Sequence, residues 1–172
     1  MQPIVYRLLL SVALVSAASA CTKEVAEPAP EFFMKANKDG KAWLVPAEAA
    51  YVPKRGEFYL FGRQDNETTQ AFLRLGFEVG SSKPLATAVP APVAVPSVPA
   101  TWTIVVGGDV LTDGYTQASV PATHLQITRL DTVQKVVEGT FDATLHRDVR
   151  WSGNGEALRF TDGSFRVRYQ QY

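Results

Sequence analysis

Cysteine is almost absent from this chain: Cys21 is the only one in 172 residues. A disulfide scaffold is therefore excluded, and stability has to come from a buried core. Histidine is scarce as well, with His124 and His146 alone, which leaves little for a metal centre built from several converging ligands. Net charge is missing too, since 17 Lys and Arg stand against 17 Asp and Glu. A nucleic-acid surface needs a basic stripe, so that balance argues against such partners. The motifs G-x-S-x-G and H-E-x-x-H and a phosphate-cradling loop do not occur. Nothing here points to an enzyme or to a bound cofactor.

What is present begins at the N-terminus. Leu8 to Ala20 is apolar, preceded by Arg7 as the only charge. The run falls short of the roughly 20 residues a spanning helix needs. A positive start, an apolar middle and a small-residue exit form a secretory signal, residues 1–20. Two exits fit. Ala18-Ser19-Ala20 suits ordinary signal cleavage; with Cys21 it resembles a bacterial lipobox in which Ala18 replaces the usual leucine. The lone cysteine stands where lipid attachment needs it, so acylation of Cys21 is expected. A single acyl chain holds a protein only marginally, whereas bacterial lipoproteins carry more than one. Residues 21–31 then read as an anchor and tether, broken by Pro28 and Pro30. Thr22 is not the aspartate that retains many lipoproteins in the inner membrane. An outer-membrane location is expected, facing the periplasm or the cell surface.

Residues 32–172, about 140 in all, suit one domain with one core. Removal of residues 1–20 takes away only Arg7, leaving 16 of the 17 basic residues against 17 acidic ones. Periodicity is two throughout. In "VEGTFDATLH", Val137, Gly139, Phe141, Ala143 and Leu145 share one side. "AFLRLGF" and "FRVRY" alternate likewise, and "HLQITRL" does so through Leu125 and Ile127. These are half-buried antiparallel strands. Asp39-Gly40, Asp113-Gly114, Asn154-Gly155 and Asp162-Gly163 supply turn signals, and "LRFTDGSFRV" reads as a hairpin on the last of them. The expected fold is all-β, a single antiparallel sandwich or flattened barrel. Residues 81–100 carry five prolines, which a central strand does not accept, and read as an extended loop.

Candidate chemistry is sparse. His124 and His146 fall on outward strand positions, and His146 with Asp148 is no more than a proximity. Asp109 and Asp113 in "GGDVLTDG" lack EF-hand spacing. A glycosidase would need two carboxylates across a cleft. Aromatic residues offer more: Trp43, Trp102 and Trp151 with Tyr51, Tyr59 and Tyr115. Trp43 follows a turn and is expected to pack inward. Trp151 lies in the polar "DVRWSGNGE" and is expected at the surface, with Arg147, Arg150 and Arg159 near it in sequence. Trp151, Arg150 and Arg147 are therefore the candidate site for an anionic glycan or a lipid headgroup.

Gly40-Lys41-Ala42-Trp43, Ile127-Thr128 with Asp131, Gly139-Thr140-Phe141 and Thr161-Asp162-Gly163-Ser164-Phe165 occur in that order. Together they resemble a family of uncharacterised lipoproteins of Bacteroidota, which share a lipobox followed by G-K-x-W, I-T-x-x-D, G-T-F and T-D/N-G-x-F. The resemblance covers both ends of the domain and implies location and fold, without an activity. The expectation is a lipid-anchored envelope protein that binds or supports, meeting the membrane through its anchor and a glycan, lipid or envelope-protein ligand through its domain. A lipocalin-like carrier of a hydrophobic ligand is the alternative and requires an apolar cavity; an envelope hydrolase of glycans or lipids comes third.

Overall fold

Two-residue alternation decides which side of each strand is buried, and the strands obey it. The computed structural model describes residues 30–79, 93–95, 97–117 and 123–172. The expected signal, Cys21, nearly all of the tether and most of the proline-rich stretch lie outside them. The described residues form ten strands and no helix. They are β1 (Phe33–Lys38), β2 (Lys41–Val52), β3 (Glu57–Asp65), β4 (Thr69–Glu78), β5 (Val93–Ala94), β6 (Ser97–Val106), β7 (Val110–Gln117), β8 (His124–Asp131), β9 (Val136–Arg147) and β10 (Ala157–Gln171).

Antiparallel pairing runs β1–β2–β3–β4–β6–β7–β9–β10, and β10 returns to pair with β1. The last residues of β10 continue past β1 and pair in parallel with β2, Tyr169 opposite Ala49. The sheet thus curves into a ring, the barrel form of the expected all-β fold. A ring removes the open edges along which strands of different molecules pair. β8 and β5 lie outside it: β9 gives its end, Leu145–Arg147, to β7 and its earlier length to β8, which carries β5.

Inward positions fill the ring in layers. At one end Phe58 stacks on Phe77 (4.8 Å between centroids) and on Tyr51 (4.5 Å), with the edge of Tyr169 against it at 5.0 Å. Toward the other end, Trp43, Trp102 and Phe160 pack mutually at 5.3–6.1 Å. Leu60, Leu73, Leu75, Val137, Leu145 and Val167 are fully buried in the same core. The expected alternation in β4, β9 and the second half of β10 is observed, and Trp43 does pack inward.

Three local expectations are overturned. Asp162-Gly163 makes no hairpin: β10 runs straight through it, with a bulge that shifts register between Phe160 and Gly163. Asp162 takes the left-handed conformation (φ 54°) a bulge needs, and β1 and β9 flank the strand on both sides, so it cannot fold back on itself. Asp113-Gly114 likewise lies within β7; Gly107 and Gly108, at φ 65° and 91°, make the turn before it. Ser97–Ala100, read as loop, opens β6. Pro99 fits there because Pro99 and Ala100 together bulge against Leu75, where the ladder does not require a donor from proline.

Candidate functional site

The β1–β2, β3–β4 and β6–β7 turns and the β9–β10 connection all fall at the same end of the ring. Backbone bonds tie them together. Gly107 N–H donates to the Thr68 carbonyl (3.2 Å), and Asp39 N–H to that of Arg159 (2.9 Å). Asp148 N–H donates to the Gly114 carbonyl (2.8 Å). In return, Arg159 N–H donates to Asp39 Oδ1 at 2.9 Å. This end is the mouth of the barrel, and the tryptophan layer lies beneath it.

Arg147 continues the inward series Phe141, Ala143, Leu145 into the mouth. Its charge is already engaged: Nε bonds Asp113 Oδ1 at 2.9 Å and Nη1 bonds Glu156 Oε2 at 2.6 Å. Those two bonds hold the guanidinium still more firmly protonated than usual. Arg150 grips Asp148 with Nε and Nη2, at 3.0 and 2.8 Å, and the side-chain hydrogen bond lowers the Asp148 carboxyl and raises Arg150. Trp151 is half-buried rather than exposed. Its indole lies over the bare Cα of Gly114, and its enclosed Nε1–H has no partner among the described residues. The fold thus gathers Arg147, Arg150 and Trp151 into one region, yet three carboxylates answer two guanidiniums there, so it is not a cationic patch.

The other candidates scatter. Trp102 and Tyr51 belong to the core. His124 is exposed on β8, and Asp148 lies beyond β9 with Arg150 rather than with His146. Among the described residues no group of three or more His, Cys, Asp and Glu side chains converges on a metal-sized space. Asp113 and Glu156 are two carboxylates at one mouth, the arrangement a glycosidase would use. Here both bind the Arg147 guanidinium that lies between them.

Residues not singled out in the sequence complete the opposite side of the mouth. Met34, Ala36 and Lys38 occupy successive inward positions of β1, so the lysine points the same way as the core. Lys38 Nζ lies over the Trp102 ring, 4.0 Å from its centroid. Among the described residues it forms no ion pair. Burial pushes its pKa down, and the nearby Asp39 only partly opposes that. Beside it, Trp43 Nε1–H donates to Gln64 Oε1 at 3.0 Å. An indole N–H can only donate, so this bond fixes the Gln64 amide with its NH2 left to donate outward. Lys38, Asp39, Lys41, Ala42, Trp43 and Gln64 line an open groove of about 360 Å³. The alternation of β1 contained this signal, in a lysine where an apolar side chain was due.

A small closed antiparallel barrel with a polar mouth is the class that fold and site define. Comparison with family models, curated proteins and solved structures finds no significant match to this chain.

Proposed function

We propose that this chain is a lipid-anchored protein of the outer membrane, periplasm-facing or at the cell surface, whose barrel is a non-enzymatic binding module. Its ligand sits at the mouth and not inside the barrel. The observation that carries this reading is the aromatic packing of the described core. The Tyr51–Phe58–Phe77–Tyr169 and Trp43–Trp102–Phe160 layers pack ring against ring inside the barrel, where an enclosed apolar cargo would have to sit. Binding then falls to the polar groups where the turns meet. The anchor rests on Cys21 following Ala18-Ser19-Ala20, and the lipoprotein family of Bacteroidota that the chain resembles is consistent with it.

Metabolic labelling with an alkyne-bearing fatty acid tests the anchor. The wild-type chain is expected to take up label and sediment with membranes, while Cys21→Ser loses the label and becomes soluble after cleavage. Equal labelling of the two chains would refute lipidation at Cys21.

A further inference from the structure

We propose that the groove between the β1–β2 turn and β3 binds a monocarboxylate on a polar, ring-sized body, the chemistry of an acidic sugar, held by Lys38, Lys41 and the Gln64 amide. The proposal rests on the mouth being the binding end of the barrel. Three donor groups border this groove: two ammonium groups and an amide whose oxygen is already taken by Trp43. The one acid in the lining, Asp39, directs Oδ1 to the Arg159 backbone on β10. Two positive charges against one negative leave a deficit that a single carboxylate would fill. A volume of about 360 Å³ lies at the small end of ligand sites, and three donor groups beside an indole and a methyl suit a guest with both polar and apolar faces, as a sugar ring has.

Lys38 supplies the strongest argument. It is half-buried on the core-facing side of β1, over an indole, and forms no ion pair among the described residues. An ammonium that has lost water and gained no carboxylate costs stability where it stands. Residues that break the local rule at such a cost are expected at functional sites. An arriving carboxylate would restore the missing partner through a charge-assisted hydrogen bond.

Intrinsic tryptophan fluorescence gives the readout, because Lys38 touches Trp102. The mature chain would be titrated with D-glucuronate, and with D-glucose and acetate for comparison. Glucuronate is expected to produce a saturable change, with glucose and acetate each weaker by about tenfold or more, the worth of one hydrogen bond to a charge. Lys38→Met keeps the apolar stem over Trp102 and removes the charge. It is expected to weaken glucuronate binding by about tenfold or more while melting no lower than wild type. Unchanged affinity in that variant, or glucose binding as well as glucuronate, would overturn the assignment to a carboxylate. Acetate binding as well as glucuronate would overturn the ring-sized body. No response to glucuronate, in protein that carries no apolar cargo, would sink this ligand class alone; apolar cargo recovered from the barrel would instead sink the reading of the mouth as the binding end.

Discussion

Phe58→Ala is expected to remove about 4 kcal/mol of folding stability, the largest loss from any single truncation of this core. Phe58 is fully buried and is the ring through which one end of the barrel is joined. It stacks on Phe77 with planes 6° apart, stacks on Tyr51, and receives the edge of Tyr169. These partners come from β4, β2 and β10, so the cavity left by alanine opens between four strands of a closed ring. Such a ring has little freedom to collapse around the gap, which places the cost in the upper part of the usual range. Domains of this size are stable by about 5–15 kcal/mol, so the loss would remove from about a quarter to most of the total. Urea unfolding followed by circular dichroism measures the difference. Val133→Ala, at a side chain 79% exposed in the β8–β9 turn, serves as the control and should change stability by less than about 0.5 kcal/mol. A loss at Phe58 no larger than the control's would mean that the stacked layer is not part of the folded core.

Gly139→Ala is expected to cost about 3 kcal/mol by the opposite mechanism, too much side chain rather than too little. Gly139 lies on the inward face of β9, opposite Phe165 on β10 and Ile127 on β8. A methyl group there would meet the Gln126 backbone carbonyl and come within 2.6 Å of the Phe165 ring. The carbonyl cannot yield, because β8 is held to β9 by the ladder on either side of it. Gly153, in the β9–β10 connection, has nothing within 4 Å of the same position. Gly153→Ala should therefore leave the midpoint nearly unchanged. Matching urea curves for the two alanine variants would contradict the pairing of β8 onto β9.

Which residues face inward was legible from alternation alone, as in Ala71, Leu73, Leu75 and Phe77 of β4. A side chain's choice of face is a local property of a pleated strand. Whether Asp162-Gly163 turns or bulges is not local. The same dipeptide supports either, and the decision lies with Asn37 and Asp142 on the neighbouring strands, which bond Asp162 from both sides. Pro99 misled for the same reason, since its tolerance depends on the bulge opposite Leu75. At the mouth, the sequence revealed that Arg147 and Arg150 stand close to Trp151, but not which carboxylates answer them. Asp113 lies 34 residues from Arg147 and meets it only because β7 pairs with the end of β9. Lys38 was legible in principle. It occupies the third inward position of β1 after Met34 and Ala36, and a charge at such a position is the exception worth following.

Native mass spectrometry of the chain, extracted gently from the membranes of its own host, tests the central claim most directly. The account predicts a polypeptide beginning at Cys21, heavier than its residues by the mass of its acyl chains, with no further apolar molecule released into organic solvent. A reproducible solvent-extractable adduct on the barrel itself, or a mature chain carrying no acyl mass at Cys21, would contradict it.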